Sequence, residues 1–239
     1  MPQSLHYTPL EKIEILRPVD RIATLAQACA GRIVLDLGAM DETAFTSKRG
    51  QGVWLHEEIA KTARQVIGVD SSSLVPEGGL KTAENATIQR GDILDLSAFV
   101  EAMPIVPEIV IAGELIEHLE NPLEFLRSFR EIAPLKGKKL LFSTPNATAL
   151  HNGLIAFGSR ESTHRDHLSI QSFKTLSTLM ARAGYDDWVL TPYHSDFIEM
   201  KLRNQGIRHG IVVAGEKAIR LMEWGFPLLS FGLICEATI

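Results

Sequence analysis

Gly31-Arg32-Ile33-Val34-Leu35-Asp36-Leu37-Gly38-Ala39-Met40-Asp41 is the stretch that decides the fold of this chain. Ile33 to Leu37 is apolar at four positions of five, the pattern of a short strand covered by helices on both faces. Gly38 lets the chain turn sharply and lets its backbone come close to a ligand. Asp36 interrupts the apolar run, and a carboxylate in such a place needs partners. Open α/β sheets bind ligands at the carboxyl ends of their strands, so the stretch points to a nucleoside-sized pocket beyond Leu37.

Working outward, Pro18 to Ala30 carries Val19, Ile22, Leu25 and Ala26 at helical spacing, with Pro18 at the start. Residues 1–17 read as an arm before it, so 1–30 form an N-terminal helical arm and 31–239 the main domain. Lys48 to Gly52 reads as a loop and Trp54 to Lys61 as a helix. Gln65–Asp70 is a second strand, a short helix lies around Gly79–Asn85, and Ala86–Gln89 is a third strand closed by Gly91-Asp92. Glu108–Ala112 is a fourth strand and Leu123–Ile132 an amphipathic helix. Leu140–Ser143 is a fifth strand. Residues 147–168 have no clear period and read as a segment covering the substrate. A helix over Ser172–Ala183, a strand at Trp188–Leu190, a helix near Val213–Trp224 and a final strand over Phe231–Ala237 complete the chain. The alternation predicts an α/β fold: a doubly wound, Rossmann-like, seven-stranded sheet, mostly parallel, with an antiparallel final strand.

The chain has 239 residues, a 45% hydrophobic content sufficient for a full core, and a net charge of -5. It has no basic run, so the electrostatic footprint of a nucleic-acid binder is missing. Cys29 and Cys235 are the only cysteines and lie far apart, which suggests neither a zinc cluster nor a disulfide framework. No apolar run approaches a membrane span, and the N-terminus lacks a signal-peptide core. The expectation is a soluble, cytoplasmic protein with no membrane partner.

Three carboxylates end successive strands: Asp36, Asp70 and Asp92. In a doubly wound sheet these ends lie side by side. One after the second strand is placed to accept both ribose hydroxyls, and one after the third to accept from an adenine amino group. A dehydrogenase would need Gly-x-Gly-x-x-Gly after the first strand, and the chain lacks it.

Val34-Leu35-Asp36-Leu37-Gly38, Val66-Ile67-Gly68-Val69-Asp70, Gly91-Asp92-Ile93, Ala112-Gly113-Glu114-Leu115-Ile116-Glu117-His118-Leu119 and Phe142-Ser143-Thr144-Pro145-Asn146 together resemble the motifs of class I S-adenosylmethionine-dependent methyltransferases. The likeness runs from about residue 30 to 190. It is to the small-molecule branch that includes enzymes of quinone, surface-glycan and natural-product pathways. It implies S-adenosylmethionine as cofactor and S-adenosylhomocysteine as product. The residues it implies as the cofactor site are Asp36, Gly38, Ala39, Asp41, Asp70, Ser71, Asp92, Ile93, Gly113 and Glu114. The chain departs from the family in two ways. Ala39-Met40 replaces the usual second glycine after Gly38, and the interval from Asp36 to Asp70 is longer than usual, with Gly52-Val53-Trp54-Leu55-His56 among the added residues.

Methyl transfer from a sulfonium is an in-line displacement that needs alignment, and a hydroxyl acceptor gains from a base near neutral pKa. His118, which shares a face with Glu114 if the stretch is helical, and His167 of His164-Arg165-Asp166-His167 are the candidate catalytic residues. Trp54, Phe157, Tyr193 and His194 can line an acceptor pocket or simply pack. The reading is metal-free O-methylation of a small-molecule acceptor, a sugar or a glycan or natural-product precursor. Two alternatives stay open. Glu114, Glu117, His118 and a downstream histidine also resemble the divalent-metal site of RNA 3′-terminal 2′-O-methyltransferases, against which the acidic charge balance weighs. The missing glycine is also what a catalytically degenerate, methyltransferase-like binding protein would show.

Overall fold

The computed structural model describes residues 10–47 and 49–239. The chain begins with α1 (Arg21–Ala28), β1 (Ile33–Leu37), α2 (Glu42–Ser47), α3 (Leu55–Ala60), β2 (Gln65–Asp70), β3 (Leu80–Ala83), β4 (Ala86–Arg90) and α4 (Leu96–Ala102). It continues through β5 (Ile109–Gly113), α5 (Pro122–Glu131), β6 (Lys139–Pro145), α6 (Leu150–Ala156), α7 (Phe173–Arg182), β7 (Trp188–Tyr193), α8 (Ile198–Arg203), α9 (Gly206–Gly225) and β8 (Gly232–Thr238). Among the described residues no helix is long and apolar enough to cross a membrane.

The strands form one sheet in the order β3-β4-β2-β1-β5-β6-β8-β7. β1 pairs in parallel with β2 and β5, and the parallel run extends to β4 on one side and β6 on the other. β8 is antiparallel to both β6 and β7, as expected for the final strand. The sheet has eight strands among the described residues where the sequence predicts seven. The added strand is β3, which replaces the short helix expected around Gly79–Asn85. Positive φ at Gly79 and a tight reversal at Glu84-Asn85 let the segment fold back as an antiparallel partner of β4.

Strand periodicity sorts the core. Leu35, Val110, Leu140 and Phe142 face Phe125 and Phe129 of α5 and Leu176 and Met180 of α7. Val34, Ile109, Ile111 and Leu141 face Leu25 of α1 and Ile59 of α3. Asp36 lies two residues after Val34 and therefore points to the α1–α3 side.

Several boundaries differ from expectation for local reasons. Of the N-terminal arm, residues 1–9 lie outside the described residues, as does Lys48 of the expected loop. α1 begins after Asp20 rather than at Pro18. The Asp20 side chain accepts from Ala23 N–H, while Val19 is held extended by bonds with Pro192 and His194. Asn121 caps α5 in the same way, with Pro122 in its first turn. Residues 147–168 contain α6. The expected helix near 213–224 extends back to Gly206 and follows a further helix, α8, so a long helical insertion separates β7 from β8.

Gly232 has a specific packing role. It pairs with Tyr193, and a Cβ there would lie 2.1 Å from the phenol carbon and oxygen. The expected result of Gly232→Ala is a loss of about 3 kcal/mol in urea unfolding, from overpacking against a rigid ring. In the Tyr193→Ala background the same change should cost much less. Equal costs in the two backgrounds would contradict the contact.

Candidate active site

A cavity of about 390 Å³ opens at the carboxyl ends of β1 and β5. Its floor includes Asp36, Gly38, Ala39 and Asp41, and its far wall Gly113, Glu114, His118, His164 and His167. Arg21 of α1 lines it too. The structure thus gathers most of the residues expected at the site. Asp70, Ser71, Asp92 and Ile93 are not among its lining. Asp70 stands at the end of β2 with Oδ2 accepting from Met40 N–H at 2.9 Å and Oδ1 from Ser72 N–H at 2.8 Å. Burial raises its pKa, against these two bonds. Ser71 and Asp92 are exposed. Asp92 accepts from Leu94 N–H at 2.9 Å, an ordinary turn, and Ile93 packs on the core.

Gly38 turns with φ +68°, and a Cβ there would meet the Leu115 side chain at 2.9 Å. The missing second glycine is accommodated by Met40. Its N–H is spent on Asp70, and its side chain, 7% exposed, packs with Trp54, Val75 and Ile88. The long interval before Asp70 builds the floor. The Trp54 indole N–H donates to the Ala39 carbonyl at 2.8 Å. His56 Nδ1 bonds Asp36 Oδ2 at 2.8 Å, and its Nε2 lies 2.9 Å from Thr82 Oγ1. In the neutral ring Nδ1–H donates to the carboxylate, and Nε2 accepts from the Thr82 hydroxyl. Asp36 is therefore held from below by a buried histidine. Sequence reading missed this pairing, although Trp54-Leu55-His56 within an overlong interval was the signal for it.

The stretch after β5 is not an α-helix. Glu114 leaves the strand with φ +52°, an uncommon conformation for a non-glycine residue, and a single 3-10 turn covers Ile116–His118. Glu114 Oε1 accepts from the Tyr193 hydroxyl at 2.8 Å. Burial and this carboxylate push the Tyr193 pKa well above its usual value. Glu117, rather than Glu114, clusters with the histidines. Its carboxylate is fully buried and has no well-formed hydrogen bond. Burial, then Glu114, push its pKa up to about 8, against smaller lowering effects of its own N–H, the Thr144 hydroxyl and Arg21.

His167 returns to this point because Leu168 and Ser169 N–H donate to the Glu117 carbonyl at 2.7 and 3.2 Å. The His118 and His167 rings meet edge to face, 4.6 Å between centroids. Burial, then the neighbouring His118, lower the His167 pKa. Donor atoms of Glu117, His118 and His167 lie within 4.8 Å of one another, a set chemically able to hold a divalent cation. His164 stands aside, its Nδ1 3.6 Å from Asp166 Oδ2.

A second cavity, about 240 Å³, shares Arg21, Asp41, Val53 and Glu114 with the first. The helical insertion supplies its outer wall through Asp196, Ile198 and Arg220. Glu223 of α9 is fully buried and accepts from Ser195 N–H and hydroxyl. It also bonds His194 Nδ1 at 3.0 Å, which leaves Nε2 of that cavity-lining ring available. Phe157, expected as a possible lining residue, is 92% exposed and lines neither cavity.

Comparison with known proteins agrees with this architecture. A ubiquinone biosynthesis O-methyltransferase of Nitrosospira multiformis is 29% identical over 147 residues, 59% of this chain and 53% of that protein. The mitochondrial enzyme of the same name from Schizosaccharomyces pombe is 29% identical over 123 residues, 51% and 40% of the respective chains. The chain thus spans about half the length of the curated relatives it matches. Two solved structures share the fold. The SAM-dependent methyltransferase from Archaeoglobus fulgidus has a TM-score of 0.51 at 18% identity, covering 91% of this chain and 92% of that one. The small RNA methyltransferase HEN1 has a TM-score of 0.57 at 15% identity, covering 97% of this chain and 27% of that one. The family model described as "Methyltransferase domain" matches residues 12–190, the span that carries β1 to β6, the start of β7 and every residue lining the first cavity, and to that family the chain belongs.

Proposed function

We propose that the protein transfers a methyl group from S-adenosylmethionine to a hydroxyl of a small molecule, a sugar or a glycan or natural-product precursor. The observation that carries the reading is the pair of adjoining cavities at the ends of β1 and β5, which share Arg21, Asp41, Val53 and Glu114, one floored by Gly38 and the other walled by the insertion. When bound, the cofactor supplies an electrophilic methyl group on sulfur. Among the described residues no carboxylate forms an ion pair with Arg21, so it can receive the amino-acid carboxylate of the cofactor. Glu114 and Asp41 can face its ammonium. Asp70, Ser71, Asp92 and Ile93 border the same strand ends and can complete the nucleoside site. The relatives named as O-methyltransferases support oxygen as the accepting atom.

His167, with its lowered pKa, is neutral at pH 7 and can take the hydroxyl proton; His118 packs against it as its partner. His194, oriented by Glu223, offers Nε2 to the second cavity in the same capacity. Cytoplasmic placement fits the two buried free thiols.

A second reading rests on one observation, the convergence of Glu117, His118 and His167. A divalent cation held there would polarise an acceptor hydroxyl. Small RNA is the substrate in HEN1's description, but this chain's net charge of -5 does not favour a polyanion.

The test is transfer of a labelled methyl group to a panel of phenols and monosaccharides, with and without a chelator. Labelled ethers formed regardless of chelator support the first reading. Loss of transfer on chelation, restored by manganese ions, supports the second. Label found on nitrogen or carbon instead would contradict both.

A further inference from the structure

We propose that the protein forms a two-fold symmetric dimer through α9, with the two copies of that helix packed antiparallel. α9 has two faces. One carries Glu216, Arg220 and Glu223 and is fastened to the body of the molecule: Arg220 donates to the Ser195 carbonyl, and Glu216 pairs with Lys201 and Arg220. The other face is apolar and exposed. Ile207, Ile211, Ala214, Ala218, Leu221 and Gly225 follow one another at intervals of 4, 3, 4, 3 and 4 residues. That spacing is the seam of two helices packed with knobs into holes. Ile207 is 85% exposed, Ile211 66% and Leu221 71%, and Ala214 and Ala218 are exposed too. A surface helix normally turns such a stripe inward.

The occupant is a second α9 because the stripe is complementary to itself when reversed. Laid antiparallel about a two-fold axis near residue 216, Ile211 faces Leu221 of the partner, Ala214 faces Ala218, and Ile207 covers Gly225. Small side chains meet at the axis, large ones meet in the next layer, and Ile207 fills the space over Gly225 at each end, so each pair occurs twice, as the isologous contact of a two-fold dimer requires. The glycines point the same way. Gly210, Gly215 and Gly225 lie on or beside the stripe, and a Cβ at any of them would meet nothing among the described residues. Gly210 and Gly215, inside the helix, each weaken it by about 1 kcal/mol relative to alanine. Packing among the described residues of one copy gives no reason for Gly210 and Gly215, whereas close approach of another backbone does.

The area sets the expected strength. A helix of 20 residues is about 30 Å long and its contact strip about 10 Å wide, roughly 300 Å² in projection. Stable complexes bury about 800 Å² per partner. α8 and α6 pack beside α9 and expose Met200, Leu202, Leu154 and Phe157, so part of that surface must join the contact. The dimer is accordingly reversible and concentration-dependent. It braces, from behind, the wall that Arg220 contributes to the second cavity.

Sedimentation velocity across a range of concentrations tests the proposal without any ligand. The expected result is a shift from 26.4 kDa towards twice that mass. Ala214→Glu with Ala218→Glu should hold the protein monomeric, and its thermal unfolding should match that of the wild type at dilutions where the wild type is a monomer, because both side chains are exposed. As a check independent of that variant's folding, Ile211→Cys with Leu221→Cys should crosslink two copies on mild oxidation, and Ile211→Cys alone should not. The native cysteines are buried and do not interfere. A monomer at every concentration, or a dimer indifferent to the glutamates together with no crosslinking, would overturn the proposal. So would a monomer that floats with anionic vesicles and ceases to do so with Ala214→Glu, which would make the stripe a membrane-facing surface.

Discussion

Raising the pH from 5 to 8 is expected to lower the stability of the protein, and Glu117→Gln is expected to remove that loss. The Glu117 carboxyl is held protonated to about pH 8 in the fold, against 4.5 for an ordinary glutamate. Between those values the folded state binds more protons than the unfolded one, so stability falls as the pH rises. The favourable contribution is complete below about pH 4.5 and gone above about pH 8. At about 1.4 kcal/mol per pKa unit the effect reaches roughly 5 kcal/mol at most. Glutamine keeps the shape and removes the titration. Asp70 and His167 titrate in both proteins, so the difference between them isolates Glu117. Urea unfolding at pH 5.5, 7 and 8.5 is the measurement. A difference that does not change with pH would show that Glu117 does not titrate as its burial requires. Manganese ions discriminate the two readings: a cation at Glu117, His118 and His167 stabilises the wild type at pH 8 far more than at pH 5.5, and Glu117→Gln loses that gain.

The second large effect is expected of His56→Ala. The imidazole is the hydrogen-bond partner of a carboxylate that is 2% exposed. Removing it strands Asp36 in a dry site at a cost of about 3 kcal/mol or more. Asp36→Ala alone should also destabilise, since His56 Nδ1 is then buried without an acceptor. The double variant should cost at least about 1 kcal/mol less than the sum of the two. Because Asp36 and His56 both line the first cavity, His56→Ala should also weaken binding of S-adenosylhomocysteine at least tenfold. Additive costs with unaltered binding would remove the pair from both fold and site.

The residues that locate the site were legible because they obey short-range rules. Ile33–Leu37 is apolar at every position but Asp36 and reads as a central strand, and Gly38 and Gly113 mark the ends of β1 and β5. What was not legible depended on contacts between distant residues. Asp36 reads as a ligand for the cofactor, yet its partner is His56, brought in by a helix after an irregular interval. β3 escaped notice because Leu80–Ala83 has too little alternation and is specified by its hairpin with β4. Glu114 and His118 suggest a helical pair by spacing, but the positive φ of Glu114 and the 3-10 turn hand that role to Glu117. His194 gains significance only through Glu223, 29 residues later on a helix whose inner face carries charge. In α9 one apolar stripe, Ile207 to Leu221, faces outward, so hydrophobic periodicity identified a helix there without showing which side met the core.

Calorimetric titration of the intact protein with S-adenosylhomocysteine tests the central claim most directly, because it needs no knowledge of the acceptor. Micromolar binding at one site per chain is expected, weakened at least tenfold by Arg21→Ala and unaffected by a chelator. No heat of binding at millimolar ligand, in a protein that unfolds cooperatively, would contradict the account and leave the fold as that of a methyltransferase-like binding protein.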